Sequence, residues 1–159
     1  MITPEVLHHF PFFGFLSPTQ LKAVAKFAEE ETIEAGQIIF NEGDQAEWLY
    51  ILVKGSIDLF FTIEVKYRPE LTKELIFGAI NPGEIFGISA LLEPYILTST
   101  ARASRPSQVI KIKAAGLLAL CESDEKWAYG LIRQVAKSTM ERLNATRLQL
   151  ATAWSTALT

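Results

Sequence analysis

The stretch Glu84 to Ala103, Glu-Ile-Phe-Gly-Ile-Ser-Ala-Leu-Leu-Glu-Pro-Tyr-Ile-Leu-Thr-Ser-Thr-Ala-Arg-Ala, holds the residues best placed for chemistry. It reads as a short strand, a glycine turn at Gly87, one turn of helix through Leu92, a loop, and an extended run. A helix turn opened by glycine presents free backbone N–H groups, which suit an anion such as phosphate. The hydroxyls of Thr98 and Ser99 add donors.

Little else in the chain is equipped for reaction. His8 and His9 are the only histidines and are adjacent. Neighbours in a helix point to different sides, so they cannot form an i, i+4 metal clamp, and no Cys or carboxylate partner is near in sequence. No Ser/His/Asp or Cys/His arrangement is available, and no carboxylate pair has a reason for a raised pKa. Gly83 to Gly87 lacks the Gly-Lys-Ser/Thr of a phosphate-binding Walker loop. The single Cys121 reads as a small buried hydrophobe. No catalytic residue, metal or cofactor is expected, and the chain does not read as an enzyme.

Phe86-Gly87, Ala90-Leu91-Leu92, Thr98-Ser99 and Ala103 resemble the phosphate-binding cassette of cyclic-nucleotide-binding domains. The match is closest to effector domains of the catabolite-activator and fumarate–nitrate regulator type. Asn41-Glu42-Gly43-Asp44, Leu49 to Leu52 and the glycines at 36, 43, 55, 83 and 87 fit the same pattern, so the resemblance spans roughly Phe10 to Leu150. It implies a ligand site of Phe86, Gly87, Ile88, Ser89, Ala90, Leu97, Thr98 and Ser99, with Thr146 facing the nucleotide base. In that family a Glu after Phe-Gly holds the ribose and an Arg before Thr-Ser neutralises the cyclic phosphate. Here Ile88 and Leu97 stand at those positions. Losing one partner of a desolvated charge pair, as at Leu97, costs about 2–5 kcal/mol. Arg102 lies about five strand residues, roughly 16 Å, beyond Leu97 and is expected in a surface salt bridge instead.

The elements that must position this stretch follow from pattern. A length of 159 residues, with 49 % hydrophobic and 21 % charged, supports one sizeable core. The net charge of -3 gives no general pull toward nucleic acid. One cysteine and no signal sequence fit a reducing cytoplasm. No apolar run nears the roughly 18 residues that span a bilayer, so no membrane partner is expected. Val6, Leu7, Phe10 and Phe13 predict a short helix ending near Pro11 or Gly14. Ser17-Pro18-Thr19-Gln20 predicts a capped helix carrying Leu21, Val24, Ala25 and Ala28, with Glu29-Glu30-Glu31 as its solvated end. From Thr32 to Lys113 the period becomes strand-like. Strands are predicted at 38–40, 48–53, 57–65, 71–80, 98–103 and 108–113, with Lys66 to Pro69 as a hairpin loop. Short strands at this spacing imply a sandwich or barrel, and the resemblance narrows it to a jelly-roll-like β-roll. The fold class expected is mainly β with flanking helices, with residues 1–122 as the β-roll and N-terminal helices and 123–159 as a long C-terminal helix.

Ala114 to Glu122 predicts a helix, and Ser123 an N-cap for a helix of roughly 30 residues, about 45 Å long. Tyr129, Ile132, Ala136, Thr139, Leu143, Thr146, Leu150, Ala153 and Ala157 form a heptad stripe. It either packs on the β-roll or, as the resemblance implies, makes a parallel homodimer through Ile132, Ala136, Thr139, Leu143, Thr146, Leu150 and Ala153. No helix-turn-helix or dense basic cluster follows, so direct DNA binding by this chain is not expected.

These features define a signalling or sensor module of cyclic-nucleotide-binding-domain type with a degenerate cassette. The expectation is weak or no cyclic AMP binding, with a different, more apolar ligand (a porphyrin, for instance) as an option, and action on an unknown protein partner through the C-terminal helix. The effector half of a transcription regulator and a ligand-independent adaptor dimer remain the alternatives.

Overall fold

A computed structural model describes residues 2–158; Met1 and Thr159, the outer limits of the two expected segments, lie outside the described residues. The order is α1 (Pro4–His8), a 3-10 turn Pro11–Phe13, and α2 (Pro18–Ala25). Strands β1 (Ala28–Ile33), β2 (Ile38–Phe40), β3 (Trp48–Lys54), β4 (Ile57–Val65), β5 (Arg68–Ile80) and β6 (Ile85–Phe86) follow. A 3-10 turn Ile88–Leu91 separates them from β7 (Thr100–Ala103) and β8 (Ser107–Lys113). The chain continues through α3 (Ala114–Ser123) and α4 (Glu125–Leu158). Among the described residues the eight strands form two antiparallel four-stranded sheets, ordered β1-β8-β3-β6 and β2-β7-β4-β5. This is the expected β-roll with flanking helices.

The central strands are buried on both faces. On β8, Val109, Ile110 and Ile112 are fully buried, and on β3 Leu49, Ile51 and Leu52 are too. Ile57 and Leu59 of β4 meet Ala103 and Ala101 of β7 across the second sheet. The small alanines leave room for the core between the sheets. The capping box forms as expected: Gln20 N–H donates to Ser17 Oγ at 3.2 Å, and Ser17 N–H to Gln20 Oε1 at 2.9 Å.

Three expectations are corrected. Glu29 to Glu31 lie in β1, not at the end of a helix. The outer face of that strand gains a partner from β8: Lys111 Nζ sits 3.8 Å from Glu29 and 3.3 Å from Glu31. The ends Ala28 and Ile33 are buried, so pairing overrides helix propensity. Arg68 and Pro69 belong to β5, because the hairpin turns on Lys66 and Tyr67 alone, with Tyr67 at φ 70°. Asp124, not Ser123, caps the long helix: its Oδ1 accepts from the N–H groups of Lys126 at 3.0 Å and Trp127 at 3.2 Å. Ser123 Oγ donates back to Leu120 O instead.

The first turns of α4 are pinned to the roll by Trp127, Leu131 and Val135, all buried. Trp127 stacks on Phe15 with centroids 5.7 Å apart, and its indole N–H donates to Leu117 O at 3.2 Å. Gly130 completes this contact. A Cβ there would stand 2.3 Å from Phe15 Cε2, so only glycine lets the ring lie against the helix. Gly130→Ala would gain about 1 kcal/mol of helix propensity. Overpacking Phe15, which is held by Trp127, costs about 1–3 kcal/mol, so net destabilisation is expected. Urea unfolding checks this, and in a Phe15→Ala background the same substitution is expected to become neutral or stabilising.

Candidate ligand site

The 84–103 stretch is fastened at both ends by backbone bonds. β6 pairs with β3, with Tyr50 opposite Phe86 and Ile51 opposite Ile85. Gly87 then takes φ 75°, the left-handed conformation open chiefly to glycine. A Cβ at Gly87 would lie 3.0 Å from both Trp48 O and Tyr50 Cδ2, so the turn is also seated directly on β3. The helical turn that follows is 3-10 and four residues long. The return segment is tied to the 43–46 turn. Leu97 N–H donates to Asp44 O at 2.9 Å, Gly43 N–H to Leu97 O at 2.8 Å, and Ala46 N–H to Tyr95 O at 2.7 Å. Glu42 N–H donates to Thr100 Oγ1 at 3.0 Å.

The residues expected to form the site divide into three groups. Ile88, Ser89 and Thr98 line one hollow of about 320 Å³, together with Leu92, Pro94, Ile96 and, from α4, Thr139 and Arg142. Thr146 lies in an adjoining hollow with Leu59, Phe77, Gly78 and Ile80, and Arg142 borders that one as well. Phe86, Ala90, Leu97 and Ser99 are buried. Leu97 does not line the first hollow; it borders a separate one with Phe40 and Tyr50. Apolar packing explains this: Phe40, Tyr50 and Phe86 form an aromatic cluster, with Tyr50 and Phe86 stacked at 4.9 Å. A leucine joins such a cluster where an arginine would be excluded.

Arg102 behaves as expected. It makes a bidentate pair with Glu74 at 2.8 and 3.1 Å and covers the Phe60 ring at 4.4 Å. The hydrogen bond from Arg102 lowers the Glu74 carboxyl below its ordinary range.

Arg142 is the residue the sequence reading missed. It is half-buried and borders three hollows, the third lined by Phe12, Glu84 and Lys137 among others. Among the described residues its guanidinium makes no hydrogen bond and no ion pair. Burial holds it below the usual arginine range, against the attraction of Glu84. Glu84 itself is engaged, accepting from Asn81 N–H at 2.7 Å. The signal was Thr146, which lies one helical turn beyond Arg142 on the same face and donates to its carbonyl at 2.9 Å.

The heptad stripe does not pack on the β-roll. Ile132, Leu143 and Leu150 are 52, 47 and 58 % exposed, and Ala136, Thr139, Thr146 and Ala153 are exposed too. Among the described residues no helix is long and apolar enough to cross a membrane, and no cluster of His, Cys, Asp and Glu is arranged to hold a metal ion.

A two-sheet roll carrying a glycine-opened cassette and closed by a long helix defines the class. Residues 30–124, more than half of the chain, match the family model of the cyclic nucleotide-binding domain. The chain belongs to that family. It is 35 % identical to a solved candidate cyclic nucleotide-binding protein from Geobacter metallireducens GS-15, covering 90 % of this chain and 99 % of that one, with a TM-score of 0.77. The N-terminal domain of a transcriptional regulator from Streptomyces coelicolor A3(2) is 25 % identical over 88 % of this chain and 94 % of its own, with a TM-score of 0.66. The cyclic AMP receptor protein of Thermus thermophilus is 25 % identical over 132 residues, or 82 % of this chain. The chain spans 58 % of that relative's length.

Tyr50, beneath Gly87, reports on how tightly the cassette is seated. Burial, then Glu31 and Glu47, push its hydroxyl up to about 12. An unfolded tyrosine titrates near 10. The folded state therefore keeps a proton that the unfolded state loses. The stabilisation is whole below about pH 10 and falls by about 3 kcal/mol as pH climbs to 12. Phenolate absorbance is expected to show one of the four tyrosines ionising late, a phase that Tyr50→Phe removes.

Proposed function

We propose that the chain is a ligand-sensing regulatory module whose cassette has lost its grip on cyclic nucleotides and whose long helix pairs with a second copy. The observation that carries this reading is the chemistry of two positions. The resemblance places the ribose-binding Glu at Ile88, which lines the hollow, and the phosphate-binding Arg at Leu97, which is packed in the aromatic cluster. A cyclic phosphate entering beside Ile88 would meet no carboxylate partner for its sugar and no cassette cation. The one cation on that hollow, Arg142, comes from the long helix and not from the cassette, and the sugar is left without its carboxylate. Backbone N–H groups of a four-residue turn do not make up that difference.

The paired state is supported by the exposure of the heptad stripe over its whole length. Leucines and isoleucines at a and d positions are the knobs of a parallel coiled coil. In such a module, a ligand between cassette and helix acts by favouring one helix position over another, and only to the extent that it binds the two differently. A further reading, in which this is the effector part of a transcription regulator, is supported by the likeness to the Streptomyces coelicolor regulator domain.

Calorimetric titration tests the first half. The wild-type chain is expected to show no saturable binding of cyclic AMP or cyclic GMP at micromolar concentration. Ile88→Glu, on the wall of the hollow, is expected to leave cyclic nucleotide binding undetected at that concentration, because it restores no cassette cation. Micromolar binding by the wild type overturns the reading. Sedimentation equilibrium tests the second half: the wild type is expected at twice the 17.7 kDa chain mass, and Leu143→Glu with Leu150→Glu at that mass alone. A wild-type monomer at the concentrations used excludes the pairing.

A further inference from the structure

Arg142 is the unused chemistry of this fold. Its element positions it well: Trp127, Leu131, Val135, Ser138 and Arg142 recur at three- or four-residue steps and form the inward face of α4. The first three are buried core, and Ser138 and Arg142 are half-buried. The inward face thus changes from apolar to polar where the helix passes the cassette. A cation placed there, without a hydrogen bond or ion pair of its own, has donors to spare: a guanidinium carries five N–H groups in a planar fork that matches a carboxylate. Burial disfavours the charged form of Arg142, and Glu84 offsets that only at a distance.

The walls around it restrict what the anion is attached to. Ile88, Leu92, Pro94 and Ile96 make the hollow largely apolar, and Thr98 adds one hydroxyl at its edge. Leu92 and Ile96 are large apolar side chains left exposed on a single chain. Among the cavity-lining groups Arg142 is the only cation and Glu93 the only anion. One cation facing nearby Glu84 and Glu93 does not suit a dianion. An apolar wall offers nothing to the hydroxyls of a sugar. The volume, about 320 Å³, is that of a small-molecule pocket.

We propose that this hollow binds a small aliphatic monocarboxylate, its head on the Arg142 guanidinium and its hydrocarbon body against Ile88, Leu92, Pro94 and Ile96. This rests on the reading that the hollow is the module's ligand site, and it replaces the anion grip lost from the cassette with one delivered by the long helix. The ligand's charge then pulls directly on α4. Its occupancy is read by the same element that carries the exposed heptad stripe.

The test is a methyl NMR titration of the full chain, following Ile88 and Ile96, with three probes of one shape: octanoate, octanamide and octylamine. Cyclic AMP is titrated in parallel. Octanoate is expected to half-saturate the shifts at a concentration about ten-fold or more below octanamide, and octylamine to bind no better than octanamide. Arg142→Gln is expected to erase the preference for octanoate, and Arg142→Lys to keep part of it. Methyls in the Trp127–Leu131–Val135 region show whether each variant is folded. Equal binding of octanoate and octanamide, or a preference that survives Arg142→Gln in the folded variant, overturns the proposal. If cyclic AMP leaves the methyls unmoved in that case, the degenerate-cassette reading stands without it. Saturation by cyclic AMP at micromolar concentration overturns that underlying reading, whatever the octanoate result.

Discussion

A charge withdrawn from water must be answered by an opposite charge or by hydrogen bonds, and the surroundings of Arg142 do neither in full. Glu84, whose charge acts on it, already accepts a backbone N–H of the Asn81 turn. On one side its neighbourhood is the apolar rim of the cassette. Among the described residues the ion pairs Arg102 with Glu74 and Lys111 with Glu29 and Glu31 lie at the surface, where pairing is worth little and solvent shares the load. Arg142 stands apart from both patterns. The arrangement is stable because the side chain is only half-buried, and it is informative because the remaining demand is directional.

The β-roll holds the cassette side of the hollow beside Arg142 in place. Gly87 seats the cassette on β3 with no room for a Cβ, which fixes Ile88 and Ser89 within a narrow range. The bonds between Leu97, Gly43 and Asp44 fix the opposite wall. α4 supplies the remaining wall, and its position is set well before the hollow, by Trp127 against Phe15 and Leu117. Seven residues separate the last buried anchor, Val135, from Arg142, two turns of helix. The site is therefore assembled from two rigid parts that meet at one side chain. Such a joint is where a ligand acts most efficiently on geometry, since a contact made there belongs to both parts at once.

Much of this was legible before the structure. The turn glycines and the Ser17 capping box are local signals, written in a few adjacent residues, and local rules read them correctly; the alternation expected along β4 fails past Phe60, where Ile63 and Val65 are exposed. Glu29 to Glu31 were misread because their partner, Lys111, is distant in sequence; a run of carboxylates looks like a helix end until the cation across the ladder is known. Asp124 and Ser123 compete for one cap, and pattern alone cannot rank two good capping residues in succession. The site shows the same division. Ile88, Ser89 and Thr98, which the resemblance implies for a ligand site, border one hollow. Arg142 was missed, because α4 was read for a single stripe. The helix has two faces with different work: Ile132, Leu143 and Leu150 point away from the roll, while Trp127, Leu131 and Val135 point into it. Arg142 belongs to the second face, which the heptad pattern does not mark.

The two faces also set how sensing in this fold would operate. A rigid helix cannot answer to the roll and to a partner independently; any rotation that improves the inward contacts displaces the outward knobs. Trp127, Leu131 and Val135 of the inward face are buried, Ser138 and Arg142 are half-buried, and Leu143, Leu148, Leu150 and Leu158 are exposed. A ligand bridging Ile88 and Arg142 would extend the inward hold by two turns. That shortens the free part of the helix and moves the point at which two helices can first pair. The size of the response is bounded by the ligand's preference for the held position, and one partly desolvated Arg–carboxylate contact is worth about 1.5–3 kcal/mol. A preference of that size shifts a two-state balance by roughly ten-fold to a hundred-fold. This is enough to act as a switch only if the unliganded helix is already close to balance between its two positions.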